Sequence, residues 1–208
     1  MKILKTVLLT IFITAIAVVA LLYWIGSKGQ KSAAPSGGGI TPPTEEKVKL
    51  SNTLKDDELG FSIAYPADWE YTRSNAWTVV FSGKQGTEAY YSTVNVQSIA
   101  SKQAGGKYGT TEEAIEDLKQ QFLTDPQAKI IEEGTSTLTK ADGTKYEGRY
   151  LIVTYLLEGK QLTKQDQRIF PRKDGLGFYA WAYTSPEDQY DKYFPIAKSM
   201  LEAINLSK

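Results

Sequence analysis

Two serine–lysine spacings are the residues in this sequence best suited to nucleophilic chemistry. Ser82 lies two positions before Lys84, and Ser101 is followed directly by Lys102. A neighbouring base can activate a serine hydroxyl, so either pair could serve a Ser–Lys hydrolase that acts on cell-envelope material. Both pairs lie beside turns in polar sequence, where such residues are usually solvated. We therefore expect no catalytic residue and keep the Ser–Lys envelope hydrolase as an alternative.

The composition excludes several other classes of site. The 208 residues contain no His and no Cys, which rules out Ser-His-Asp triads, thiol nucleophiles, disulfides and the common zinc sites. The carboxylates of Glu132, Glu133 and Asp142 lack the spacing of a calcium-binding loop. Residues 49–208 contain 19 Lys and Arg against 22 Asp and Glu, with no clustered basic stretch. The sequence predicts no cofactor, no metal and no nucleic-acid partner.

A polar strand is the first candidate for a binding surface. Lys164, Asp166 and Arg168 alternate and therefore share one face of a strand, while Gln165 and Gln167 lie on the other. Because both faces are polar, we expect this strand to be exposed or at the edge of a sheet. Its charges either protect that edge from aggregation or form a partner-binding face.

Adjacent tyrosines are the second candidate. Tyr90 and Tyr91 lie next to a predicted turn. They could form an exposed aromatic patch that binds sugar or peptide. The alternative interpretation is that they pack partly into the core.

Period-two apolar patterns predict six or seven mostly antiparallel strands. Trp69 is expected to be a core residue, and Trp77 is expected to share a buried face with Val79 and Phe81. Both faces of 150–157 are apolar, which is typical of a central strand covered on both sides. The predicted strands are Leu59–Pro66, Trp77–Phe81, Tyr91–Ile99, Lys129–Thr139, Tyr146–Leu157, Leu162–Phe170 and Phe178–Tyr183.

Two helices accompany these strands. Thr110 and Glu113 have capping-box spacing and predict a helix that ends before Asp125-Pro126. Ser185 is expected to cap a second helix, which Pro195 should break after one turn before it continues to about residue 205. Hairpin-linked strands covered by helices indicate the α+β class.

The amino-terminal apolar run predicts one transmembrane helix. Nineteen uncharged residues, Val7–Ile25, are enough to cross a bilayer core of about 30 Å. Tyr23 and Trp24 close the run, as is typical of the membrane interface. The charges on either side are nearly balanced and weakly favour a cytoplasmic amino end with the domain outside. The alternative is a cleaved signal peptide with a site near 32–34, which would leave a secreted protein that binds sugar or peptide.

Composition also sets the domain boundaries. Residues 1–26 form the cytoplasmic start and the membrane helix, 27–48 are a flexible linker rich in Gly, Ser and Pro, and 49–208 are one soluble domain. A chain of that length can close its own core without disulfides.

The start of the domain resembles the opening of the PsbP-like domain family. The residues that carry the resemblance are Leu59 to Ile63, Tyr65-Pro66 and Trp69, and the order of the later elements matches over roughly 52–206. The resemblance implies an α/β/α sandwich with an antiparallel sheet between helices. It also implies a binding or assembly role rather than an enzyme. We therefore expect a bacterial, membrane-anchored, extracytoplasmic binding module with an unidentified protein or envelope partner.

Overall fold

The computed structural model describes residues 48–140 and 142–208. The predicted transmembrane helix and the linker up to residue 47 lie outside these residues. Within the two described ranges, neither helix has the length and apolar character needed to span a bilayer.

The described chain forms ten strands and two α-helices. The strands are β1 (Asn52–Asp56), β2 (Phe61–Tyr65), β3 (Trp69–Asn75), β4 (Thr78–Gly83), β5 (Thr93–Ala100), β6 (Lys129–Thr139), β7 (Lys145–Leu157), β8 (Gln161–Pro171), β9 (Gly177–Pro186) and β10 (Asn205–Leu206). The helices are α1 (Thr111–Phe122) and α2 (Glu187–Ala203), with short 3₁₀ helices at Glu88–Tyr91 and Lys102–Ala104.

The strands build a large sheet and a small one. The seven-stranded sheet has the order β3-β4-β5-β9-β8-β7-β6, and all of its neighbouring strands are antiparallel. The small sheet has the order β1-β2-β10. The mostly antiparallel α+β fold is as predicted. Strands β1, β3 and β10 were not predicted, because their short and largely polar sequences carry little apolar alternation.

Each face of the large sheet packs against one helix. The aromatic side of β9, including Tyr179 and Trp181, joins a core cluster with residues of α2. The opposite side, including Phe178 and Ala180, joins a second cluster with residues of α1. The small side chain of Ala180 therefore lies on the side of the sheet that packs on α1.

Helix α1 begins as the capping pattern predicts. The backbone N–H of Glu113 donates to Thr110 Oγ1 at 3.2 Å, which satisfies one free donor of the first turn. The Glu113 carboxylate accepts from the backbone N–H of Gly109 at 2.9 Å, one residue earlier than a regular capping box requires. The hydrogen bond from Gly109 and the contact with Lys102 hold the pKa of Glu113 below its ordinary value.

Helix α2 differs from its prediction at both the cap and the interior. The chain remains helical through Pro195 instead of breaking there. Tyr190 lies buried before the proline, and Ala197 and Met200 lie buried after it. Packing on both sides therefore outweighs the hydrogen bond that proline removes. Ser185 does not cap the helix, because its buried hydroxyl bonds that of Ser92 at 2.8 Å.

Two further burial predictions were wrong, and one was confirmed. Trp69 is buried as predicted, with 2% of its surface exposed, whereas Trp77 lies at the β3–β4 turn and is 57% exposed. In β7, Leu151 and its alternate neighbours are buried, but Tyr150 and Ile152 on the other face are only half-buried. Helix α1 packs against the Leu151 face of β7, whereas on the other face α2 packs over β9 and β8 and leaves Tyr150 and Ile152 partly uncovered.

Candidate functional site

Lys164, Asp166 and Arg168 lie inside the large sheet. Strand β8, which carries them, pairs with β7 on one side and β9 on the other. The predicted edge position was therefore wrong. A strand that is polar on both faces can occupy the interior when its polar groups bond to one another, and β8 does so on each face.

A buried carboxylate is the centre of this charged face. Asp166 has none of its surface exposed, and its side chain accepts from Arg168 Nε at 3.1 Å and from Nη2 at 2.8 Å. Arg168 also donates from Nη1 to Ser136 Oγ on β6 at 3.2 Å. Burial lowers the pKa of Arg168, but the hydrogen bonds and charge of Asp166 outweigh it and raise the pKa above its ordinary value. The carboxylate is thus fully paired inside the protein.

Tyr150 extends this network toward the sheet edge. The guanidinium carbon of Arg168 lies 5.6 Å from the centre of the Tyr150 ring, within cation–π range. The Tyr150 hydroxyl donates to Glu132, and this bond raises the pKa of the tyrosine above its usual value. A methyl group added to Gly134 would lie 2.9 Å from a carbon of the same ring. The ring therefore lies against a strand position that has no side chain.

Lys164 forms a second cation–aromatic contact on the same face. Its ammonium lies 4.2 Å from the centre of the Tyr190 ring on α2. That ring stacks on Phe194 with 5.5 Å between centres. Burial, followed by the negative charge of Asp166, raises the pKa of Tyr190 above its ordinary value. The contact with Tyr190 thus holds the ammonium group of Lys164, although Lys164 as a whole is only half-buried.

Strand pairing arranges the surface groups of this face into a continuous patch. Leu162 pairs with Leu156 and Arg168 pairs with Tyr150, while Ile152 lies opposite the buried Asp166. Leu162 is 40% exposed, and the remaining members are half-buried. We name this patch the docking face and define it as Tyr150, Ile152, Leu156, Leu162, Lys164 and Arg168. Its aliphatic, aromatic and cationic groups are suited to binding a partner rather than to bond-breaking chemistry.

Tyr90 and Tyr91 occupy a different position, in the 3₁₀ helix that precedes β5. Their rings lie edge to face with 5.5 Å between centres. Tyr90 is only 5% exposed, and burial raises the pKa of its hydroxyl above the usual value. The burial of Tyr90 favours the core-packing interpretation over an exposed aromatic patch.

In each serine–lysine pair, the serine and the lysine have different hydrogen-bond partners or different surroundings. Ser101 Oγ donates to the carbonyl of Gly175 at 2.9 Å, and Lys102 Nζ donates to Glu113 at 2.7 Å. Ser82 is buried in β4, whereas Lys84 is exposed beyond the end of that strand. In the described part of the chain, no group of three or more acidic side chains is placed to hold a metal ion.

Comparisons with known proteins agree on the fold. The family model described as PsbP matches residues 50–205. The solution structure of cyanobacterial PsbP from Synechocystis sp. PCC 6803 matches with a TM-score of 0.52 and 15% identity, covering 83% of this chain and 98% of that chain. The Ran-binding protein Mog1p of Saccharomyces cerevisiae matches with a TM-score of 0.50 and 10% identity, covering 76% of this chain and 95% of its own. No curated protein matches the sequence.

Proposed function

The chain belongs to the PsbP family, and from that premise we propose that it is a non-enzymatic binding or assembly module. In this proposal the domain is held at a membrane by its amino-terminal helix and works outside the cytoplasm. The uncharged run Val7–Ile25 supports the anchor. The partner is a protein or another component of the cell envelope.

The docking face is the observation that carries the binding role. Its aliphatic and aromatic side chains remain half-exposed although they lie on the same side of the sheet as the main core. Lys164 and Arg168 are held by aromatic rings, so a partner would meet them already oriented. A surface with fixed cations beside aliphatic groups loses little conformational freedom on binding, which favours association.

Site-specific photocrosslinking in cells tests this role. A photoreactive leucine analogue replaces Leu162 in one variant and Leu176 in a control variant. Leu176 suits this purpose because it is the same residue type with nearly equal exposure, 42% against 40%, and lies in the turn between β8 and β9. We expect a discrete adduct from position 162, none from position 176, and loss of the adduct when Lys164→Glu is added. Equal labelling at both positions, or none at either, would contradict the docking face.

The location is tested separately with a single introduced thiol. The sequence has no Cys, so Leu123→Cys, at a position that is 46% exposed, provides the only reactive site. A maleimide that cannot cross membranes should label this variant in intact cells if the domain is outside. Labelling only after permeabilisation would place the domain in the cytoplasm. The intact mass of the protein distinguishes a retained anchor from a cleaved signal, which would start the chain between residues 25 and 40.

A further inference from the structure

The two faces of the large sheet are covered unequally. On one face, α1 packs against β7 and β8. On the other face, α2 packs against β9 and β8, and the small sheet packs nearer β4, where the rings of Tyr65 and Phe81 lie 5.3 Å apart. This arrangement leaves Tyr150, Ile152 and Leu156 of the docking face only half-buried on β7.

The open part of this face has the dimensions of one helix. Leu162 and Arg168 are six residues apart on β8, which is about 20 Å at the rise of a strand. An α-helix of about 13 residues has the same length. Strands β6, β7 and β8 span two strand spacings, or about 10 Å, which is close to the diameter of a helix. A helix placed here would lie beside α2 and complete its layer.

The aliphatic side chains of the docking face suit the apolar stripe of an amphipathic helix. Ile152, Leu156 and Leu162 offer this surface, and Leu162 is 40% exposed. An amphipathic helix covers such a surface with apolar residues at every third or fourth position. Helices that bind in the grooves of other proteins use the same spacing.

Lys164 supplies a charge for a partner to meet. The guanidinium of Arg168 is already bonded to Asp166 and Ser136. The ammonium of Lys164 lies over the Tyr190 ring and forms no ion pair with a carboxylate among residues 48–140 and 142–208. An acidic side chain of the partner would therefore meet a cation that is held in position and has no counter-charge.

The neighbouring sheet edge does not favour an added strand. Strand β6 has a bulge between Ile130 and Glu132, and Glu133 follows directly. A bulge twists an edge strand, and charged side chains oppose its pairing with another strand. A partner in an extended conformation would find no regular edge here, which favours a helix on the face itself.

We propose that the docking face binds an amphipathic helix of another protein, with its apolar stripe over Ile152, Leu156 and Leu162 and an acidic side chain at Lys164. Helices α1 and α2 of a second copy do not suit this role, because their apolar residues are buried within their own domain. The inference rests on the proposed binding role and adds the conformation and the charge of the partner.

The spacing of photocrosslinks on the partner tests the conformation. A photoreactive leucine analogue replaces Ile152, Leu156 or Leu162 in the full-length protein in cells, and mass spectrometry locates each adduct on the partner. Ile152 and Leu156 are four residues apart on β7, or about 13 Å. This distance corresponds to about 9 residues along a helix and to about 4 along an extended chain.

A helix therefore gives a distinct pattern of adducts. We expect the adducts from positions 152 and 156 to be about 9 residues apart in one segment of the partner. Positions 156 and 162 are paired across β7 and β8, so their adducts should lie within one helical turn of each other.

Charge reversal tests the acidic contact. Lys164→Glu should reduce the yield of the adduct from position 162 by about tenfold or more, and Lys164→Gln should reduce it less. Exchange of the partner's acidic residue for lysine should restore the yield with Lys164→Glu. Lys173→Glu is the matched control, because the Lys173 ammonium also lies near a ring, 5.1 Å from the centre of Tyr146, but outside the docking face. We expect this control to give the parental yield.

The possible failures separate this inference from the proposed function. Adducts about 4 residues apart, or spread over separate segments of the partner, would overturn the helix and leave the docking face in place. Equal losses from Lys164→Glu and Lys173→Glu would overturn the acidic contact. Adducts on lipid instead of protein would show that the face lies on a membrane and would overturn the inference. The absence of an adduct from all three positions would overturn both the inference and the docking face.

Discussion

Strand β8 presents charged side chains to one face of the sheet and amides to the other, and their polar groups are satisfied differently. Asp166, on the docking side, is fully buried and takes hydrogen bonds from Arg168 on its own strand. On the other side, the Gln165 amide is bonded, but Asn95 Oδ1 two strands away is not. A buried charge must be paired within the protein, whereas a single neutral amide oxygen can be buried unpaired at moderate cost. The charged side of β8 is thus paired within the protein, whereas the opposite side of the sheet retains an unpaired acceptor at Asn95.

Removal of Asp166 should have the largest effect. Asp166→Ala leaves the partly buried guanidinium of Arg168 without its counter-charge, and we expect a loss of about 3 kcal/mol in the free energy of unfolding. Urea denaturation measures it. Asp166→Ala combined with Arg168→Met should recover much of the loss, because no charge then remains unpaired. A single-variant loss below about 1 kcal/mol would show that water already solvates Arg168.

Substitution of Gln165 should have the next largest effect. Gln165→Leu removes the acceptor of two hydroxyls, those of Tyr155 and Thr184, and we expect a loss of about 2 kcal/mol. Asn95→Leu should be nearly neutral in the same denaturant series, because its side-chain oxygen has no partner to lose. Equal losses from both variants would show that the side-chain oxygen of Asn95 has a hydrogen-bond partner in solution.

A substitution at Gly134 tests how closely the Tyr150 ring of the docking face packs on the neighbouring strand. Gly134→Ala places a methyl group against the Tyr150 ring, and we expect a loss of about 1 kcal/mol as the ring moves. In a Tyr150→Ala background the same substitution should cost clearly less, since the obstruction is gone. A double-mutant cycle on urea midpoints measures this coupling. Additive losses would show that the ring does not lie over Gly134 in solution.

Lys164 should have the smallest effect on stability. Lys164→Ala removes one half-exposed cation–π contact with Tyr190, and we expect a loss of about 0.5 kcal/mol. Its effect on the photocrosslinked adduct from position 162 should be large by comparison. A large loss of stability with an unchanged adduct would reverse the assignment and make Lys164 a structural residue.

Much of the local structure follows from short-range chemistry that is visible in the sequence. The short apolar runs of β7 and β9 predicted both strands, and the Thr110–Glu113 spacing predicted the start of α1, because these patterns depend on neighbouring residues alone. The missed strands β1, β3 and β10 are short or polar and are held by pairing with distant segments. The helix through Pro195 likewise depends on packing from other elements.

The candidate sites show the same division. The sequence by itself determined that Lys164, Asp166 and Arg168 share one face of a strand and that Gln165 and Gln167 share the other, because the two-residue period of a strand is a local property. Only the tertiary structure decided that this strand lies inside the sheet, that Asp166 is sealed while Lys164 reaches the surface, and that Asn95 lies two strands from Gln167. The physical reason is that burial and hydrogen-bond pairing depend on residues far apart in the chain, and a local pattern does not specify which distant segments will meet.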